Sequence, residues 1–470
     1  MTSGDAPTAI IVGSGLAGLT CALELAGAGW RTIVVTAGRA GRDGATHRVH
    51  ALTPWILLTA PWVKGDSPQR LLADLEMRGD GMRRPGLAEA FVENARDAAR
   101  ELIELLDLAP VAKEPVTLPG DELPRGMRCL PRNRHLLLAP LLRRCAALEV
   151  EVRERTLLSG LCLDGERVAG VTLCPRGGGA PQRLLADAVV LACGGSGAVF
   201  PVTTAPRWCR GSGLAAAAWA GALLHHPGLT QALPVTATPP LYFPTSAALV
   251  AGRVRVADDL LPAGRDLEAT TLAVARAQRA GAGAFLEVEE TRPELWAMRR
   301  LLGSSPSLAT GGRVALTVAQ HHGIGGVAID AWGRTSVAGL YACGEAAGGV
   351  QGRRRTMGTG LLEAAIFARR AARAATGDRR RLRARACELR ESSAPSPLEP
   401  ERLERRLDEL LGPLVVERPP AAAAAAVREL EAWPVHDRAA RESDEKAVLA
   451  AIRRQAALLI LRGSAAPEVG

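Results

Sequence analysis

The chain has 470 residues, 47% of them hydrophobic, enough for a large core and more than one domain. Its net charge is +9, and its nine cysteines include no Cys-x-x-Cys pair, which argues against a disulfide framework or a zinc or iron–sulfur site. No apolar run is long enough to span a membrane, and Met1 to Thr8 lacks a basic stretch followed by an apolar core, so a reducing, cytoplasmic setting is expected.

In chain order, Ala9 to Leu25 reads as strand, tight turn and helix: an apolar run, three spaced glycines, then an amphipathic segment. Gly13 allows the sharp turn, Gly15 lets the backbone approach a pyrophosphate, and Gly18 lets the helix pack against the strand. The helix N-terminus then faces the negative charge of a dinucleotide. A second strand, Thr32 to Val35, ends at Thr36, where a nicotinamide-binding fold usually has an acidic residue for the ribose hydroxyls. Thr36 offers a weaker hydroxyl contact. Only one such unit is visible, which weighs against a nicotinamide-dependent reductase.

The glycine-rich loop from Ala37 to Thr46 is placed to run beside a bound cofactor. Leu87, Phe91, Ala95 and Leu102 follow at helical spacing, with Asn94 and Arg96 off that stripe, and predict a surface helix. From Leu148 to Val190, short β-like runs broken at Asp164-Gly165 and Gly177-Gly178-Gly179 predict a small antiparallel layer. A buried strand, Asp187 to Cys193, leads into Gly194 and Gly195, which allow close backbone approach to something flat or charged. Arg210 to Gly213 opens an alanine-rich helix. Pro227 to Pro262, rich in proline and short strands, and a predicted helix over Leu267 to Glu290 read together as an inserted domain.

Leu340 to Cys343 reads as a buried strand carrying Gly344-Glu345 at its carboxyl end, where ligands sit in open α/β sheets. Glu345 is placed to accept hydrogen bonds from a polyol such as a flavin's ribityl chain, with a helix-capping carboxylate as the alternative. Gly358 to Glu363 starts a helix whose free amides can meet the carbonyl edge of a flavin ring. A Ser/Pro linker, Ser392 to Pro400, separates a helical tail. The arginine runs between Arg369 and Arg406 invite a nucleic-acid reading. Acidic residues alternate with the arginines after Cys387 and no aromatics interleave, so a solvated helical face without a nucleic-acid partner is expected.

The Gly13 to Gly18 turn, Leu191 to Gly195, and the block from His321 to Glu363 together resemble the fumarate reductase, succinate dehydrogenase and L-aspartate oxidase flavoproteins. L-aspartate oxidase is closest in length and in having a small hydroxyl residue at Thr36. The resemblance implies an α/β fold. Residues 1–225 and 320–378 would be the two parts of a Rossmann-like FAD-binding domain, 226–319 an inserted α+β capping domain, and 379–470 a helical C-terminal domain. It implies FAD as cofactor, with contacts at Ser14, Gly15, Leu16, Ala17, Ala37, Glu345, Gly360 and Leu361. Ser212 stands where the family has an aspartate, and Leu52-Thr53-Pro54 replaces its Gln-Gly-Gly flavin loop. His47 stands near the histidine that succinate dehydrogenases join to FAD, but its surroundings differ, so a noncovalent flavin is expected.

The family's substrates are dicarboxylates held by arginine and histidine for hydride transfer. His321 and Arg355 match two of those groups, and Arg353 and Arg354 add charge. Leu233 replaces a second carboxylate-binding histidine, Thr270 stands in an ungapped placement where a catalytic arginine would be, and an Arg-Gly-Glu-Gly element is lost around Val250 to Arg253. Three readings follow. One is an FAD-dependent oxidoreductase acting on an altered small carboxylate or amino acid. Another is an L-aspartate oxidase with its missing groups supplied by His225, His226 or His322. The third is a non-catalytic flavin-binding or assembly protein. A respiratory flavoprotein would need an iron–sulfur partner chain. The expected partners are a small anionic substrate and an acceptor such as oxygen, fumarate or a quinone, with no metal.

Overall fold

The computed structural model describes residues 6–50, 56–59, 63–111, 115–118, 121–132, 136–237, 253–256, 259–261, 267–287, 313–382, 390–392, 397–435 and 444–465. Its centre is a five-stranded, fully parallel sheet in the order Leu340–Ala342, Ala188–Leu191, Thr8–Val12, Arg31–Val35, Glu151–Arg153. Ile10, Ile11, Val34 and Val190 have no solvent exposure. Such β-branched runs suit a parallel sheet covered on both faces. Helix Leu16–Gly27 packs on helix Gly360–Leu382, which in turn meets helix Leu87–Leu105. The last of these buries Phe91, Ala95 and Leu102 and leaves Arg96 exposed, as its spacing predicts.

An antiparallel layer of Arg390–Ser392, Thr156–Asp164, Arg167–Pro175 and Gln182–Leu185 packs against the strand Ala188–Leu191. Between the fourth and fifth strands of the central sheet in chain order, the chain builds a five-stranded antiparallel sheet. Its order is Thr230–Thr236, Arg313–Gly323, Ala284–Glu287, Arg253–Val256, Asp259–Leu261, and helix Leu267–Arg279 lies on it. Among the described residues no helix is long and apolar enough to cross a membrane.

Four local expectations are corrected. Glu151–Arg153 joins the parallel sheet by pairing with Ile33 to Val35, although it opens the segment expected to be antiparallel. The helix expected to reach Glu290 stops at Arg279, because Gly281 turns the chain at φ 73° and Ala284–Glu287 becomes a strand paired on both edges. Ser392, expected to open a linker, instead ends a strand paired with Leu161 to Leu163. The tail is not separate: helix Glu445–Ala465 packs on helix Ser212–Trp219, and Arg176 Nε donates to Glu445 Oε1 at 2.6 Å. The flavin-loop residues Leu52 to Pro54, and 250–252 of the lost element, lie outside the described residues.

Candidate functional site

The parallel register brings the carboxyl ends of four strands to one edge, and a long cleft runs along it. Thr8–Val12 ends at Gly13, whose φ of 116° is open only to glycine in practice. A Cβ there would collide with the carbonyl of Ala192, and one at Gly18 with the carbonyl of Gly13. Both glycines are required by packing, and Gly18 does not line the cleft. Gly15 differs. It has φ −75° and ψ −173°, and its Cβ would meet only Thr46 Oγ1, at 3.3 Å.

Gly15 gives helix Leu16–Gly27 no side-chain cap, and Leu16 N–H is met by Thr46 Oγ1 at 3.1 Å. Ser14 Oγ donates to Thr36 Oγ1 at 2.9 Å, so Thr36 positions the serine. Ser14, Gly15, Leu16, Ala17, Thr36, Ala37 and Gly194 all line the cleft, as does Ser212. Gly195 does not; a Cβ there would overlap the Glu345 carboxyl, so this glycine makes room for that side chain.

Sequence reasoning missed the wall beyond Ala37. Leu157, Trp208, Leu449 and Ile452 line the cleft there, and they come from three segments far apart in the chain. Their only signal is apolarity, which does not reveal which distant surfaces meet. His47 lies in a short helix, Ala45–His50, outside the cleft lining, and its Nδ1 is 3.5 Å from the backbone N–H of Leu137.

At the other end the cleft is lined by His321, His322, Glu345, Arg355, Gly360 and Leu361. His321 Nδ1 is 3.0 Å from Thr204 Oγ1. Arg355 Nη1 donates to Gln231 Oε1 at 3.4 Å, while its buried Nε has no hydrogen-bond partner among the described residues. The loop carrying Arg355 is fixed by Gln351, which accepts from Thr356 N–H at 3.1 Å and donates to Glu363 Oε2 at 2.7 Å. A Cβ on Gly360 would come within 2.5 Å of Arg355 Nη2, so glycine there lets the guanidinium cross the start of the helix.

Burial raises the Glu345 carboxyl to about 7, against the opposing pull of the Gly323 N–H at 3.0 Å and of Arg355. Burial, with Arg355 and His321 nearby, holds His322 well below the usual imidazole range. His322 Nδ1 lies 3.4 Å from Glu345 Oε1. Since both groups are driven toward their neutral forms, this contact is a neutral pair below pH 7 rather than an ion pair. His225 and His226 lie outside the cleft lining; His225 Nε2 is 2.8 Å from the Met82 carbonyl oxygen.

The Glu345 shift has a measurable sign. Its folded pKa lies above the ordinary carboxylate value, so the folded protein binds this proton more tightly and loses stability as pH rises from about 4.5 to about 7. The loss is at most about 3 kcal/mol. Glu345→Gln is expected to remove it: between pH 5 and 8 the melting temperature of the flavin-free parent should fall further than that of the variant. Equal falls would contradict the buried carboxyl.

A second cavity of about 380 Å³ adjoins this end and shares Gln231, Leu233, Arg355 and Met357 with the cleft. Leu233 is 2% exposed and pairs with Ala319. Arg353 and Arg354 reach this cavity but sit 3.6 Å from Asp80 and 2.8 Å from Glu268 respectively. Thr270 lines neither cavity, whereas its neighbour Thr271 lines the second.

The FAD binding domain family model matches residues 8–255 and 266–361. An L-aspartate oxidase of Caulobacter vibrioides is 31% identical over 410 residues, 78% of this chain and 76% of that one. The chain belongs to the fumarate reductase, succinate dehydrogenase and L-aspartate oxidase family of flavoproteins. A fumarate reductase (CoM/CoB) polypeptide from Methanothermobacter marburgensis is 28% identical to this flavoprotein over 404 residues, 77% of this chain and 71% of that one. Among solved structures, Mycobacterium smegmatis Sdh1 in complex with UQ1 shares the fold with a TM-score of 0.76 at 21% identity, covering 98% of this chain and 85% of that one. FAD is the cofactor of this family, and its members are FAD-dependent oxidoreductases.

Proposed function

We propose that this flavoprotein oxidises a small carboxylate-bearing molecule, with FAD lying along the cleft and the substrate held at Arg355. The carrying observation is Arg355, a half-buried arginine whose buried Nε has no hydrogen-bond partner among the described residues, at the end of a dinucleotide-type cleft. A desolvated cation with unused donor capacity suits a carboxylate.

The residues present fit FAD. The bare backbone at Gly15 and the first turn of helix Leu16–Gly27, with Ser14, Leu16 and Ala17, suit the diphosphate. Thr36, Ala37, Leu157, Trp208, Leu449 and Ile452 suit the adenosine. Gly194 and Glu345 suit the polyol, and Gly360 and Leu361 the ring's carbonyl edge. His47, away from the lining, supports noncovalent binding.

FAD held here would supply a two-electron, hydride-accepting group, and the protein's own residues would orient the substrate and take up the proton that leaves with the hydride. Arg355 and His321 fix the carboxylate, which orients the reacting carbon. His322, which lines the cleft beside the Glu345 carboxyl, is an imidazole placed to take that proton. The acceptor that completes the cycle would be oxygen, fumarate or a quinone. The likeness to L-aspartate oxidases supports a cytoplasmic enzyme.

The test is the anaerobic visible spectrum of the yellow holoprotein during titration with amino acids and other small carboxylic acids, L-aspartate included. Bleaching by one of them is the expected result. A flavin that no carboxylate reduces would favour a non-catalytic flavin-binding role.

A further inference from the structure

The second cavity lies where the remainder of a substrate anchored at Arg355 would project, and its lining has an unusual character for such a place. Leu233, Leu267, Leu272, Ile324, Met357 and Val416 supply apolar surface. The charged side chains among its described lining residues are Arg78, Glu268, Arg353, Arg354 and Arg355. Arg78 donates to Asp121 Oδ1 at 3.3 Å, Arg354 is paired with Glu268, and Arg353 lies beside Asp80. That leaves Arg355 as the cation positioned between the two cavities. A second carboxylate extending past it would meet Leu233 and Ile324, lose its hydration and gain no donor from them.

We propose that the substrate carries one carboxylate on an apolar body: a monocarboxylic acid, such as an amino acid with an aliphatic or aromatic side chain, rather than a dicarboxylate. Leu233 is the specificity-determining residue. This inference rests on the reading of Arg355 as the carboxylate anchor. Leu233 projects from the strand Thr230–Thr236, is 2% exposed, and borders both the cleft and the second cavity. It stands where the two cavities meet beside Arg355, and a leucine there favours apolar carbon over charge.

The test uses calorimetric titration of the holoprotein with 4-methylvalerate and with succinate, two acids of similar size that need not react. The parent is expected to bind 4-methylvalerate roughly tenfold or more tightly than succinate. Leu233→His is expected to bring the two within about threefold or to reverse the order, and flavin content reports whether that variant has folded. Leu233→Asn serves in its place if it has not. Arg355→Ala should lose both acids. Succinate bound as tightly as 4-methylvalerate by the parent, with both lost in Arg355→Ala, would overturn the apolar-substrate inference and leave the carboxylate site standing. Binding of both acids that Arg355→Ala leaves unchanged would overturn the site reading itself, and the inference with it.

Discussion

Gly15→Val is expected to yield a folded protein that purifies without flavin. The backbone at Gly15, φ −75° and ψ −173°, is one that valine adopts freely, and the added Cβ meets only the Thr46 hydroxyl. The added Cβ therefore asks only a small shift of one hydroxyl. It does occupy the space over the start of helix Leu16–Gly27, where a diphosphate would need the first amides. Forcing the phosphates outward costs about 3 kcal/mol, or roughly 100-fold in affinity. Gly13→Val is the contrasting variant: its φ of 116° and its collision with the Ala192 backbone put the damage in the fold itself. Circular dichroism melts and the flavin-to-protein absorbance ratio separate the two. A flavin-loaded Gly15→Val would sink the placement of the diphosphate.

Arg355→Ala has the opposite signature: flavin retained, substrate lost. The half-buried guanidinium lies near Glu363 and Glu345, both of which oppose the effect of desolvation on it. Removing it takes away the charge-assisted hydrogen bonds to a carboxylate, worth about 2–5 kcal/mol in a desolvated site, or roughly 30-fold to several thousand-fold in affinity. Flavin reduction by a bleaching substrate should slow in step, because an unanchored substrate no longer presents its reacting carbon. The FAD contacts proposed at Gly13 to Ala17 lie on a different strand end and should be untouched. Normal substrate affinity in the variant would remove Arg355 from the site.

The sequence shows most clearly those features whose cause is local. Gly13 and Gly18 mark a turn because steric conflict between neighbouring backbone segments admits no other residue, and the two strands that follow the same logic end at Gly194 and Gly344. His321 and Arg355 were visible through family resemblance, and the fold brings them to one end of one cleft. What stayed hidden depends on distance. The neutral contact between His322 and Glu345 forms only because the Arg313–Gly323 strand and the Gly344–Ala346 turn meet; spacing along the chain carries no trace of it. The Thr46 hydroxyl facing Leu16 N–H is likewise set by how a loop folds back. Helix length was misjudged at Arg279 because alanine-rich sequence suits a helix until Gly281 turns away from it.

The helix Glu445–Ala465 bears on how the molecule is made. Gly13 and Gly15 leave the ribosome long before Leu449 and Ile452, which close the same cleft. Until that helix emerges and Glu445 meets Arg176, the nascent chain has a diphosphate turn without the wall opposite it, and Leu157 and Trp208 remain uncovered. Secure capture of the flavin thus waits for this helix, and a chain stalled shortly before it presents chaperones with a sticky, empty groove.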